Sequence, residues 1–155
     1  MKLEDKVYQK LLDLGYKVAT SESCTGGLLA GKLINVSGAS NIIDMSFVTY
    51  SNRAKEELVF VNKETIEKYN VVSEEVAREM AIGAKMRANC EVGLSTTGLA
   101  GPLGGSKELP VGTVCFGIAI KDKVYTYKHV FKNRSRQYIR SASVKFILKK
   151  VLEVL

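Results

Sequence analysis

Residues 16–33 read YKVATSESCTGGLLAGKL, and the character of the chain changes twice within them. Tyr16–Ser21 reads as a short strand, Glu22–Gly27 is a polar break ending in two glycines, and an apolar helix is expected over Leu28–Ile34. Strand, polar turn and helix in that order build helix-flanked sheets, and they put Ser23 where a strand gives out. Outward from this unit, Leu3, Val7, Leu11 and Leu14 recur at helical spacing before Gly15, a residue suited to a left-handed C-terminal cap. Ile42–Tyr50 reads as a second strand, followed by a helix capped by the Ser51 hydroxyl. Asn62 opens a short helix to Tyr69, and Ser73 with Glu74 and Glu75 opens a longer one to Ala88, with Val76, Met80 and Ala84 on its buried face. Glu91–Thr96 is a third strand, and Val111–Ile120 with Lys123–Phe131 form a hairpin about Lys121 and Asp122. A last helix follows Asn133, with Val144, Ile147, Leu148, Val151 and Leu155 inward. This mixture of crossovers and a hairpin predicts an α/β domain with a mixed, partly antiparallel sheet flanked by helices.

The 155 residues are 46% hydrophobic and 25% charged, the composition of one domain, expected to span 1–155. Met1–Lys10 carries both signs of charge and no apolar signal core, so a cytoplasmic location is the expectation. No apolar run approaches the roughly 20 residues that cross a bilayer. Three separated cysteines, Cys24, Cys90 and Cys115, argue against a disulfide framework, and a single histidine, His129, excludes sites built on two imidazoles of one chain. Residues 121–155 hold 10 Lys and Arg against 2 acids, whereas the preceding 120 hold 13 against 14, so the net +7 is entirely C-terminal. Such an excess suits a solvated helix face, a small phosphate or, less well, nucleic acid.

Two phosphate-binding patterns are near misses. Gly26–Leu33 fits G-x-x-x-x-G-K but ends in Leu33 where a magnesium-ligating hydroxyl is needed, and the loop from Gly98 does not match G-x-G-x-x-G. Ser23 carries more chemistry. At a strand end before a helix, its hydroxyl can enter a cleft while the next N–H groups face a developing oxyanion; equally, Ser23 or Thr25 can simply cap the helix. Cys24 is a competing nucleophile, better suited to the core. A serine needs a base, and His129, in a distant alternating strand, makes a poor triad member. Lys55, one turn beyond Tyr50, Ser51 and Asn52, can replace histidine if burial lowers its pKa, or can be a solvated helix lysine.

Five segments in order, TSESCTGG (20–27), FVTYSNRAK (47–55), VSEEVA (72–77), TGLAGP (97–102) and PVGTV (110–114), resemble the C-terminal domain family of the competence/damage-inducible protein CinA, which includes stand-alone nicotinamide-nucleotide amidases. The resemblance covers about residues 3–150 and implies a three-layer α/β/α domain. It also implies hydrolysis of nicotinamide mononucleotide to nicotinic acid mononucleotide and ammonia by a Ser/Lys pair, without metal or cofactor. Ser23 and Lys55 fall on the family's nucleophile and base, with Tyr50 beside them at the reacting centre. Glu22, Thr25, Gly26, Asn52, Thr97, Gly98, Gly101, Gly104 and Gly105 are expected around the substrate, and Arg140, four residues beyond Arg136, at its phosphate. Leu103 stands where the family's A-G-P-x-G-G loop usually carries a polar residue, and Phe60 where a glycine is common. The resemblance points to a homo-oligomer, makes nucleic acid an improbable partner, and leaves a non-enzymatic binding module of competence or damage response as the rival function.

Overall fold

The computed structural model describes residues 1–155. Five strands form one sheet: β1 Val18–Glu22, β2 Phe47–Val48, β3 Val92–Gly98, β4 Thr113–Ile120 and β5 Lys123–Val130. Their spatial order is β2-β1-β3-β4-β5; β1 is parallel to β2 and β3, and β4 is antiparallel to both β3 and β5. The helices are α1 Leu3–Leu14, α2 Leu28–Ile34, α3 Asn52–Val59, α4 Lys63–Tyr69, α5 Glu74–Ala88 and α6 Arg136–Val154.

Alternation along the strands sorts the core into two layers. Val18, Val92, Leu94, Val114, Phe116 and Ile118 face α1, α2 and α6, meeting Val7, Leu11, Leu29, Leu33, Ile139 and Ile147. On the opposite face Ala19 meets Val59, Val76, Met80 and Ala84 of α3 and α5. The expected three-layer α/β/α architecture is therefore present. Gly93 lets α5 lie close to the sheet, because a Cβ there would collide with the Ala81 carbonyl.

Several local expectations hold for the expected reason. Gly15 closes α1 in a left-handed conformation, and Ser51 and Ser73 accept N–H bonds from Ala54 and Val76 at the starts of α3 and α5. The near-P-loop stretch is the expected helix, with Leu29 and Leu33 buried against the sheet. Leu14, counted with the buried stripe of α1, is instead exposed at the helix end. The second strand is also shorter than the Ile42–Tyr50 reading. The segment runs beside β1, but side chains interrupt the ladder: Val18 N–H donates to the Ile42 carbonyl, Thr20 N–H to Ser46 Oγ, and Lys17 pairs with Asp44. Only Phe47 and Val48 pair in register, with Ser21 and Glu22. The last helix starts at Arg136, capped by the Ser135 hydroxyl.

Candidate active site

The parallel strands β1 and β3 both finish at the same end of the sheet, where the chain turns into α2 and the Gly98 loop. A cleft of about 230 Å³ opens there. Ser23 sits on its floor, held by donation from its own N–H to the Thr96 carbonyl at 2.9 Å. Gly26 and Gly27 take positive φ values of 56° and 101°, which turn the chain sharply from β1 into α2.

Lys55 reaches the same floor from the first turn of α3. Its Nζ lies 3.1 Å from Ser23 Oγ and donates to the carbonyls of Thr49 at 2.8 Å and Tyr50 at 3.4 Å. The residue is 1% exposed, and no carboxylate is paired with it. Burial pulls its pKa down from 10.5 to about 8. The thiol of Cys24 is buried too, and burial pushes its pKa up to about 12, which keeps it protonated and unreactive near neutral pH.

Glu22, 1% exposed, does not line this cleft. Its carboxylate lies beneath the turn, where it accepts from Thr25 Oγ1 and from the N–H groups of Gly27, Leu29 and Ala30. A buried anion thus occupies the N-terminus of α2, where unpaired donors and the helix dipole favour negative charge. Beyond Ser23, the N–H groups of Cys24 and Thr25 have no protein acceptor.

The model of the CinA C-terminal domain matches residues 1–155. The chain belongs to the CinA C-terminal domain family. It is 46% identical over 157 residues to a CinA-like protein of Fusobacterium nucleatum, covering 99% of this chain and 38% of that one. A relative from Thermoanaerobacter pseudethanolicus is 47% identical over 142 residues, and the match takes in 92% of this chain but 34% of the relative. The chain thus spans little more than a third of the length of these curated relatives. Among solved structures, the competence/damage inducible protein CihA of Agrobacterium tumefaciens superposes with a TM-score of 0.92 at 37% identity, covering 97% of this chain and 94% of that one. A CinA superfamily protein of Escherichia coli gives 0.93 at 35% identity, covering 99% and 91%.

Within this CinA domain, the cleft brings together Ser23, Lys55, Tyr50, Asn52, Thr97 and Gly98 from the expected set. The hydroxyl of Thr97 is taken up by the Val71 carbonyl at 2.9 Å. Tyr50 turns its hydroxyl to Arg136 at 3.2 Å rather than to the Ser23–Lys55 pair. Glu22, Thr25, Gly26, Gly101, Gly104, Gly105 and Arg140 are not on the cleft wall. Gly101 contributes through its carbonyl, which accepts from Arg136 at 2.8 Å, while Gly104 and Gly105 are exposed in the loop.

The two arginines of α6 do not converge on one point. Arg140 spends Nε on the Cys24 carbonyl at 2.9 Å and a terminal nitrogen on the Thr25 carbonyl at 3.1 Å. Arg136 is the one that lines the cleft, and the i, i+4 spacing of the pair could not tell it apart from Arg140. Val71, Val72 and Leu99 add an apolar wall outside the expected site set, although Val72 and Leu99 lie within the VSEEVA and TGLAGP segments. His129 is exposed on β5 against the rings of Phe131 and Phe146, so the single imidazole is spent elsewhere. No group of three His, Cys, Asp or Glu side chains is placed to hold a metal ion. No helix is long and apolar enough to cross a membrane.

Proposed function

We propose that this CinA-family chain is a nicotinamide-nucleotide amidohydrolase that converts nicotinamide mononucleotide and water to nicotinic acid mononucleotide and ammonia. The observation that carries the reading is the Lys55 amine, buried without a counter-ion, depressed toward neutrality and 3.1 Å from the Ser23 hydroxyl. A solvated surface lysine has no reason to occupy that position, and a lysine near pKa 8 can both take and return a proton around neutral pH.

In this reading Ser23 Oγ attacks the carboxamide carbon while Lys55 takes the hydroxyl proton. The free N–H groups of Cys24 and Thr25 receive the oxyanion. The C–N bond then breaks, and Lys55 delivers its proton to the departing nitrogen, which leaves as ammonia. Water adds to the acyl-serine, again losing a proton to Lys55, which returns it to Ser23 Oγ as the ester bond breaks. The pyridinium ring bears a positive charge of its own, so its approach favours the neutral form of Lys55.

The remaining walls fit the rest of such a substrate. Val71, Val72 and Leu99 offer an apolar face to a flat ring, and Asn52 offers an amide. Arg136 spends two of its five N–H donors on Tyr50 and Gly101, leaving three for a phosphate. Purified protein incubated with nicotinamide mononucleotide and a chelator should release ammonia and nicotinic acid mononucleotide in equal amounts. Absence of both products, from a protein shown to be folded, removes the reading.

A further inference from the structure

Arg140, half-buried on α6, donates two hydrogen bonds to backbone carbonyls, yet it is paired with no carboxylate and does not border the cleft. Its fork grips two consecutive backbone carbonyls, those of Cys24 and Thr25. In a trans peptide the N–H points opposite to the C=O of the same plane. Holding the Cys24 oxygen therefore aims the Thr25 N–H away from Arg140. Holding the Thr25 oxygen fixes the next plane, whose Gly26 N–H donates to the Ser23 carbonyl at 3.1 Å. That bond in turn fixes the plane carrying the Cys24 N–H. One guanidinium thus sets the direction of both unpaired N–H groups beside the nucleophile, one directly and one through Gly26.

The opposite side of the turn is pinned as firmly, because Glu22 takes the N–H groups of Gly27, Leu29 and Ala30 and the Thr25 hydroxyl. Every other donor of the segment is consumed, so Cys24 and Thr25 supply the only backbone N–H groups left there for an anion. We infer that Arg140 is a positioning residue that pre-sets an oxyanion hole from behind the turn, and that it is not a ligand of the substrate phosphate. The inference rests on the acyl-transfer reading of Ser23, but not on the identity of the amide.

The test uses a fluorophosphonate, which reports on nucleophile and oxyanion hole without any nicotinamide. Ser23 Oγ forms a bond to phosphorus as the P–F bond breaks and fluoride leaves, with the hydroxyl proton passing to Lys55 and the phosphoryl oxygen lying in the hole. The labelling rate of the full chain is followed by intact mass across pH 6–10, with Ser23→Ala as the unlabelled control. Arg140→Met should label at least about tenfold more slowly, in line with loss of an aligned oxyanion donor, with the pH midpoint set by Lys55 unmoved. Arg140→Lys, which keeps the charge and one donor but not the fork, should fall between the two and serves if the methionine variant does not fold. Wild-type labelling rates in both variants overturn the inference, as does a shifted midpoint or a wild-type chain inert to the reagent. Nicotinamide mononucleotide hydrolysis is measured alongside. Arg140-dependent labelling without ammonia release would discard the substrate assignment and leave the inference standing.

Discussion

Ser23 and Lys55 stand 32 positions apart in the chain, yet the hydroxyl of one and the amine of the other are 3.1 Å apart at the floor of one cleft. The pair forms because β1 and β2 run parallel in register Ser21–Phe47 and Glu22–Val48, so both strands end at the same level. Ser23 follows one end directly, and one helical turn beyond the other brings Lys55 back over it.

If Ser23 is the nucleophile, Ser23→Ala should lower kcat for amide hydrolysis by at least about a thousandfold while changing stability by no more than ~1 kcal/mol. Cys24→Ala should keep most of the activity, since that thiol is held protonated by burial. A dead cysteine variant beside a serine variant that still turns over would reverse the assignment.

The pH profile follows from Lys55. With a pKa of about 8, kcat/KM should rise tenfold per pH unit below that value and level off above it. Lys55→Arg keeps the charge, cannot give up a proton near neutrality, and should be nearly inactive at every pH. A wild-type profile flat between pH 6 and 9 would exclude Lys55 as the base.

Lys55→Met should be inactive but more stable. The folded pKa lies below the unfolded value, so the unfolded chain binds more protons between about pH 8 and 10.5, and the lysine's cost is largest below that window and fades as pH rises through it. Removing a cost of order 1–3 kcal/mol at pH 7 should raise Tm by several degrees, and much less at pH 10, as calorimetry would show. A lower Tm at pH 7 would mean that the bonds to Thr49 and Tyr50 outweigh the burial penalty.

Glu22→Gln exchanges a carboxylate that serves two hydroxyls and three N–H groups for an amide whose NH2, in either orientation, faces at least one of those N–H donors. A loss of about 2–3 kcal/mol, and a Tm lower by several degrees, is expected from charge-assisted bonds removed in a buried site. An unchanged melting curve would show that the α2 terminus needs no anion.

Arg136→Ala should raise KM for nicotinamide mononucleotide by about tenfold or more and affect the unphosphorylated riboside far less, consistent with a lost charge-assisted contact of 1–3 kcal/mol. Equal losses on both substrates would assign Arg136 to holding Tyr50 and the Gly101 loop instead.

The strand-turn-helix around Ser23, the caps at Gly15, Ser51 and Ser73, and the hairpin about Lys121 were legible because each is written by neighbours in the chain. Local pattern also offered Ser23 and Lys55 as candidates, without deciding between a reactive pair and a helix-capping serine with a solvated helix lysine. Their proximity required the β1–β2 register, and the pKa of Lys55 required the enclosure that register creates, neither of which any single segment encodes. The same limit governs the placement of Glu22 and Arg140. Motif position put Glu22 and Arg140 at the ligand, but the direction of a side chain depends on which unpaired backbone groups lie within its reach. Glu22 was drawn under the turn by the open N–H groups of α2, and Arg140 behind it by the carbonyls of Cys24 and Thr25. The sequence alone determined most of the elements and the reactive residue types; the pairing of β2 with β1 and the packing of α6 against α2 and β4 decided which of them meet, because only tertiary contact removes water and matches donors to acceptors across the chain.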